Sequence, residues 1–363
     1  MPVSAARIGC GDEVLRKMNE EDARARREAR RKIDEGALNQ RDERPAAGAK
    51  FSAAALGMEW FRAFDEEQAR ARRSERPAAG AQLQPPPLAK EDFARSATVD
   101  DIPLGISADY LLTKFPYEAR AAARKDDPNF HELLPVLARG PRGKGHGKIC
   151  PRDGRPGCSI VDAVDEDYRG PATHFVSWCW RCTLEQLVGA IKVWAKNGRV
   201  DTRRTFLWIC FFCVNQYRAA QRWTPAELQT VFGENLRSIG HCLVVFDDFQ
   251  KPAYISRAWC LFEYYTSIAN RIPVEVLLPH SAQSGFIQAL AEGGEGLKRL
   301  RQSFAVVDAR VATASQPDDE ATIKGLIRSG VGFDKLNACV KKQLLKWLSR
   351  QFEDFISDDD AFA

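Results

Sequence analysis

Short apolar segments alternate with helix-like segments between residues 171 and 307, and this alternation constrains the fold more than any other feature of the sequence. Periodicity separates the two kinds of segment. The apolar segments predict strands at Thr173–Ser177, Arg204–Val214, Cys242–Phe246, Val274–Leu278 and Phe304–Val307. Strands joined through helices form right-handed crossover units. The pattern therefore predicts an α/β domain with a five-stranded parallel sheet and helices on both faces.

Local capping signals place several helix ends. Thr183-Leu-Glu-Gln186 and Thr224-Pro-Ala-Glu227 have the spacing of a capping box, and the second has proline at the first helical position. Gly240 is expected to end the second of these helices, and Asn270 is expected to be a left-handed cap of a later one. Two further helices are predicted at about 318–329 and 333–355.

Composition changes along the chain predict four regions. Residues 20–35 mix both signs of charge almost without apolar side chains, and Glu20–Arg27 resembles Glu66–Arg73. Such a segment cannot form a core. We therefore expect the following regions: a charged, partly repeated, largely disordered arm (1–100), a short helical segment with a glycine-rich basic linker (101–165), the α/β domain (166–312) and a helical C-terminal extension (313–363).

The linker at Arg139–Lys148 does not match a phosphate-binding loop. That motif needs Gly, four residues and then Gly-Lys-Ser/Thr, whereas Arg142 stands five before Gly147 and Ile149 follows Lys148. We interpret the segment as a flexible connection.

Composition also limits the class of protein. The hydrophobic and charged fractions are 44% and 28%, typical of a globular domain, and a net charge of +4 is too small to indicate nucleic-acid binding. The longest apolar run, Phe206–Val214, is about half of a membrane span. Met1–Arg7 contains no apolar signal-peptide core. We expect a cytoplasmic protein with no membrane contact, whose ten cysteines are mostly thiols.

One acid interrupts the helix-like run Ser256–Asn270. Helical spacing groups Glu263 with small or polar residues, namely Ser256, Cys260, Ser267 and Asn270. This stripe could face water, with Glu263 on the solvent side of a core helix. It could instead line a cleft at the edge of the sheet, where open α/β folds bind ligands.

Two C-x-x-C pairs, Cys179–Cys182 and Cys210–Cys213, raise the alternatives of a zinc site and a redox pair. Residues 210 and 213 would point to opposite faces of the predicted strand, which argues against one shared ion. Cys182 precedes a helix cap, which suits redox chemistry. Buried structural thiols are the default, so no metal site is predicted.

Two groups of residues resemble known families. Leu243–Phe246 followed by Arg257-Ala-Trp-Cys-Leu-Phe-Glu263 resembles the third strand and next helix of Toll/interleukin-1 receptor (TIR) domains, and Phe175–Ser177 is similar to their first strand. Leu207-Trp-Ile209 with Cys213-Val-Asn-Gln216 resembles the signature of fungal heterokaryon-incompatibility (HET) domains. Ser177-Trp-Cys-Trp180 resembles a second segment of the same domains. The two families are alike in fold. The resemblance covers roughly residues 170–310 and implies a flavodoxin-like strand order.

The resemblance also implies a function. In catalytically active TIR domains the helix glutamate is needed to cleave NAD+ between nicotinamide and ribose, and it corresponds to Glu263. A carboxylate can stabilise positive charge that develops on the ribose. Trp178, Trp180, Arg181, Asn215, Asp247 and Trp259 would then contact the nucleotide. NAD+ would be the substrate, and no cofactor is expected.

Cys210 departs from both families, which commonly place an acid in the second strand. Two functions therefore remain open: an NAD+ nucleosidase that uses Glu263, and a non-catalytic signalling module that self-associates or binds other signalling proteins. An open cleft lined by Glu263, Trp178 and Asn215 would favour the enzyme, and a packed Glu263 would favour the binding module.

Overall fold

The structure is a computed structural model, and it describes residues 102–218, 229–315 and 317–360. The strands are β1 Leu104–Ser107, β2 Arg169–Pro171, β3 His174–Ser177, β4 Phe206–Trp208, β5 Cys242–Val245 and β6 Val274–Leu277. The helices are α1 Ala108–Thr113, α2 Phe115–Ala123, α3 Phe130–Leu133, α4 Ile160–Ala163, α5 Leu184–Asn197, α6 Cys210–Cys213, α7 Asn235–Ile239, α8 Ala258–Ala269, α9 His280–Ala291, α10 Gly294–Ala305, α11 Pro317–Ser329 and α12 Phe333–Asp360. Short 3-10 segments lie at Glu166–Tyr168 and Ala253–Ser256, and π-helical segments at Leu134–Ala138 and Gln229–Glu234.

The strands form one six-stranded mixed sheet in the order β2-β1-β4-β3-β5-β6. Strands β4, β3, β5 and β6 are parallel to one another, whereas β1 is antiparallel to both of its neighbours. In the central pair, Phe175 lies opposite Cys242 and Ser177 opposite Val244. The α/β class is confirmed.

Helices cover both faces of this sheet. Successive strand residues point to opposite faces. On one face His174 packs against Trp194 of α5, with ring centroids 5.0 Å apart. On the other face Phe175 stacks on Trp208, and Ser177 contacts Glu263 of α8. Helix α8 therefore lies over the end of β3.

The predicted sheet differs from the observed one in three places. β1 and β2 are four and three residues long, too short to be recognised by periodicity, and they add an antiparallel edge. The predicted strand Arg204–Val214 is reduced to β4, because Cys210–Cys213 forms a helical turn. The predicted strand Phe304–Val307 is wrong. Phe304 lies in the last turn of α10, which ends at Ala305. Phe304 and Val307 are both buried, and their spacing of three residues is that of a helix face.

Most predicted helix ends agree with the structure. Thr183 and Gln186 form the complete capping box of α5, and Gly240 ends α7 in the left-handed conformation. At the end of α8 the left-handed residue is Arg271 and not Asn270, whose φ is −91°. The C-terminal helices α11 and α12 are present as predicted. The capping box at 224–227 lies outside the described residues.

The glycine-rich segment Arg139–Lys148 is tied to the rest of the chain. The Lys144 amide donates to the Leu137 carbonyl at 2.8 Å, and the Cys158 amide donates to the Gly145 carbonyl at 3.1 Å. A Cβ at Gly145 would lie 1.9 Å from the Cys158 carbonyl oxygen, so only glycine fits there. The segment predicted as a flexible connection therefore packs against a specific backbone partner.

The described residues divide into two compact units, one of residues 102–283 and 303–347 and one of residues 284–302 and 348–360. The larger unit contains the whole sheet. None of the helices in the described ranges has the length and apolarity required to cross a bilayer. The predictions for the arm at residues 1–100 lie outside the described residues.

Candidate functional site

Glu263 lies on the buried face of α8, with only 8% of the residue exposed. Cys260 and Ser267, which flank it on the same helical stripe, are also buried, whereas Ser256 is exposed. The central part of the small and polar stripe therefore faces the sheet. This excludes the interpretation in which Glu263 lies on the solvent side of the helix.

A chain of hydrogen bonds leads away from the Glu263 carboxyl group. One of its oxygens is hydrogen-bonded to the hydroxyl of Ser177, the last residue of β3. The Ser177 hydroxyl lies 2.7 Å from the hydroxyl of Tyr254. The Tyr254 hydroxyl donates to the carbonyl of Cys260 at 2.9 Å. The chain joins β3, the Ala253–Ser256 segment and the first turn of α8.

The surroundings of Glu263 favour its neutral form. Burial raises the pKa of Glu263 to about 8, and the hydrogen bond with Ser177 lowers it by a smaller amount. The side chains that interact with its charge include the thiols of Cys210 and Cys242, and burial raises the pKa of each to about 12. In the described part of the chain, no cation contributes to the pKa of Glu263. The carboxyl group is thus buried without a counter-ion.

Two tryptophans lie beside Cys210. The indole N–H of Trp180 donates to the Cys210 sulfur at 3.2 Å. Trp178 stacks on Trp180 at a ring-centroid distance of 6.2 Å and packs edge-on against Phe130 at 4.4 Å. The indole nitrogen of Trp178 lies near the same sulfur but meets no acceptor with hydrogen-bonding geometry. Trp178 is only 4% exposed, so its ring is part of the core and does not form an open ligand platform.

Asn215 is engaged in hydrogen bonds with neighbouring loops. Its side-chain nitrogen donates to the Gly157 carbonyl at 3.0 Å and to the Cys150 sulfur at 3.6 Å, and its oxygen accepts from the Tyr217 amide. The amide of the neighbouring Gln216 donates to the Cys210 carbonyl. The predicted contact of Asn215 with a nucleotide stays a prediction, and in this structure the polar groups of its side chain are engaged by Gly157, Cys150 and Tyr217.

The other predicted contact residues lie at the carboxyl edge of the parallel strands. Asp247, which follows β5, accepts from the Ala253 amide at 2.8 Å, and burial raises its pKa. Trp259 packs against Phe232 with ring centroids 4.8 Å apart. Arg181 is exposed. Burial and then the charges of Arg257 and Arg181 lower the pKa of His131, so these cations lie near one another.

The four cysteines of the two C-x-x-C pairs are free thiols, and Cys179, Cys182 and Cys213 are buried. Cys210 and Cys213 lie on one helical turn. The expectation that they point to opposite faces of a strand, which argued against a shared zinc ion, therefore does not apply. Within residues 102–218, 229–315 and 317–360, however, no group of three or more His, Cys, Asp or Glu side chains could hold a metal ion. Burial raises the pKa of both Cys179 and Cys182, which makes them poor nucleophiles at neutral pH.

Sequence reasoning identified Glu263 but missed its partners Ser177 and Tyr254. In the sequence, Ser177 is recognisable only as the end of a predicted strand and as part of the segment that resembles TIR and HET domains. A serine at the last position of a buried strand, on the face that the next helices cover, is the signal that could have indicated a contact with Glu263. For Tyr254 the sequence offers no comparable signal.

A comparison of the chain with protein-family models, with curated proteins and with solved structures finds no match. The resemblance to TIR and HET domains thus rests on the quoted residues alone.

Proposed function

We propose that this chain is a TIR-like signalling module that acts by binding other proteins or further copies of itself, and not by cleaving NAD+. The observation that carries the proposal is the enclosure of Glu263, which is 8% exposed and hydrogen-bonded to Ser177. A carboxyl group that remains protonated offers no negative charge to stabilise a ribosyl cation.

Two neighbouring residues support the same proposal. Cys210, which stands where TIR and HET domains commonly have an acid, accepts a hydrogen bond from Trp180 and supplies no charge. Trp178, which a nucleotide would need as a stacking surface, is packed against Phe130. The flavodoxin-like strand order of those families also belongs to the proposal. Across the sheet the four parallel strands lie in the order β4-β3-β5-β6, which are the second, first, third and fourth of them in chain order. A flavodoxin-like sheet begins with the same order.

The test is a turnover assay with the full-length chain at high concentration. We expect no nicotinamide release from NAD+ by the parent protein or by Glu263→Gln, and sedimentation analysis of the same samples should show association that increases with concentration. Glu166→Gln is the matched control, because the Glu166 side chain is 90% exposed, pairs with Arg169 and does not belong to the buried hydrogen-bond chain of Glu263. Nicotinamide release by the parent and by Glu166→Gln, but not by Glu263→Gln, would overturn the proposal.

An NAD+ nucleosidase is the second candidate, and the pKa of Glu263 favours it. Acids and bases with pKa values near neutral cluster at catalytic sites. Since burial raises this pKa to about 8, an enzyme that uses the carboxylate would become more active as pH rises from 6 to 9. Turnover that increases over this range and disappears in Glu263→Gln would establish this alternative.

A further inference from the structure

The hydrogen-bond chain that begins at Glu263 is enclosed along its whole length. Ser177 is 0% exposed, Tyr254 is 1% exposed and Glu263 is 8% exposed. Water therefore has little access to the hydroxyl groups, and each oxygen must find its proton within the chain. The donors and acceptors can be counted.

The Cys260 carbonyl oxygen, at the end of the chain of hydrogen bonds, can only accept a hydrogen bond. The contact of 2.9 Å from Tyr254 to this carbonyl uses the single hydroxyl proton of Tyr254. The contact of 2.7 Å between Tyr254 and Ser177 must then use the single proton of Ser177. The remaining contact, between Ser177 and Glu263, has no proton left unless the carboxyl group supplies it.

We propose that Glu263 keeps its proton in the folded protein and acts as a pH-sensitive latch, which fastens α8 to β3 and to the Ala253–Ser256 segment through Ser177 and Tyr254. The inference goes beyond the proposed function, because it concerns how the proton of Glu263 fastens α8 to its neighbours, which neither NAD+ turnover nor self-association measures. Loss of the proton leaves two hydroxyl protons for three contacts. Two buried oxygen atoms are then in contact with no hydrogen atom between them, which is unfavourable.

The groups that face Glu263 from the neighbouring elements do not replace this proton. They are Cys210 of α6, Cys242 of β5, Tyr254 of the 3-10 segment and Cys260 of α8, and their thiols and phenol are neutral at physiological pH because burial raises their pKa values. In the described part of the chain, no lysine, arginine or histidine contributes to the pKa of Glu263. An ionised Glu263 would therefore have no counter-ion among the described residues.

The segment that the latch holds is also tied at both ends. The Ala253 amide donates to Asp247 at 2.8 Å, and the Ser256 carbonyl accepts from the Thr313 amide at 2.9 Å. Tyr254 is the link between these two ties and the core. When Glu263 ionises, Ser177 donates to the carboxylate, and Tyr254 can no longer satisfy both Ser177 and Cys260. The segment at the carboxyl edge of the sheet then loses one of its fixed contacts.

The sign of the pH dependence follows from the direction of the pKa shift. The pKa of Glu263 is about 8 in the folded protein, above its ordinary value of 4.5. The unfolded chain therefore releases this proton first as pH rises. The stability contributed by the protonated carboxyl group is complete below pH 4.5 and is lost as pH rises through 8.

The test uses infrared spectroscopy and denaturant unfolding of the full-length chain from pH 5 to pH 9. We expect the carbonyl band of a protonated carboxyl group in the folded parent at pH 6, its disappearance as pH rises through 8, and its absence from Glu263→Gln. The unfolding midpoint of the parent should fall over this range. The midpoint of Glu263→Gln should fall less, because the amide carries a donor at every pH. Glu166→Gln should follow the parent.

Tyr254→Phe separates a proton latch from a merely structural bond. Without Tyr254, Ser177 is free to donate to the carboxylate, so the band in Tyr254→Phe should titrate at a lower pH than in the parent. Three results would overturn the proposal: no protonated-carboxyl band at pH 6 that Glu263→Gln removes, identical pH dependence of unfolding in the parent and Glu263→Gln, or an unshifted titration in Tyr254→Phe. The absence of any protonated-carboxyl band from the parent at pH 6 overturns the proposal even if a variant fails to fold.

Discussion

At the scale of single residues, the sequence identified Glu263 but could not determine its environment. The helical stripe of small and polar residues fitted both solvent and a cleft, and the structure places its centre against the sheet. The partner Ser177 lies 86 residues earlier in the chain, and Tyr254 lies 77 residues after Ser177. Such contacts depend on strand pairing and crossover geometry, which a single sequence does not report. The contacts of Asn215 with Gly157 and Cys150 also join distant parts of the chain, and the sequence does not indicate them.

Arg152 gives a prediction at this scale. Its guanidinium bonds the Cys213 carbonyl at 2.9 Å and pairs with Asp162, whose side chain is 1% exposed. Arg152→Leu leaves the buried carboxylate of Asp162 without a cation, and because Arg152 itself is partly exposed we expect a loss of about 2 kcal/mol in the free energy of unfolding. Urea denaturation measures this loss. Arg155→Leu is the matched control, because Arg155 pairs with the more exposed Asp153 and its loss should destabilise the fold less than Arg152→Leu does. Equal costs would contradict the prediction.

At the scale of helices and strands, the sequence predicts helix ends correctly where the stabilising hydrogen bonds are local. The capping box of Thr183 satisfies amides within its own helix turn, and Gly240 supplies a left-handed residue. Short apolar runs were ambiguous, because the run from Phe304 to Val307 has too few residues for its periodicity to distinguish a strand from a helix. Strands of three or four residues, such as β1 and β2, exist only through their pairing partners.

Three helices are followed by an arginine in the left-handed conformation, and this gives a prediction about helix ends. Arg124 ends α2, Arg199 follows α5 and Arg271 follows α8, with φ values of 55°, 49° and 58°. A left-handed residue with a Cβ costs about 1–2 kcal/mol, whereas glycine loses about 0.5–1 kcal/mol through its flexibility. Arg199 is exposed, so Arg199→Gly should stabilise the fold by about 0.5–1 kcal/mol in thermal unfolding.

Arg204→Gly is the control for this prediction. Arg204 is also exposed, carries the same charge and has no positive φ. Glycine there brings only its entropy cost, so the variant should be slightly less stable than the parent. If both glycine variants are destabilised alike, backbone strain at Arg199 is not the cause.

At the scale of the whole molecule, the alternation of strands and helices was sufficient to predict the α/β class but not the complete sheet. Crossover units require β3, β4, β5 and β6 to be parallel, and they are. The antiparallel edge depends on β1, which begins at Leu104 and therefore lies outside the predicted domain. A boundary drawn from composition near residue 166 could not include a strand that precedes a basic, glycine-rich segment. Function depends on the site, and the site depends on these long-range pairings.

The charged arm gives the last prediction, which concerns the distribution of stability along the full chain. Residues 20–35 mix both signs of charge with almost no apolar side chains, so ordering them would cost about 1–2 kcal/mol per residue in backbone entropy without compensating burial. Hydrogen exchange of the intact protein should find the amides of residues 20–80 unprotected. The amides of β3 and β5, which pair in the centre of the sheet, should be the slowest to exchange. Strong protection across residues 20–80 would mean that the arm buries surface which its composition does not reveal.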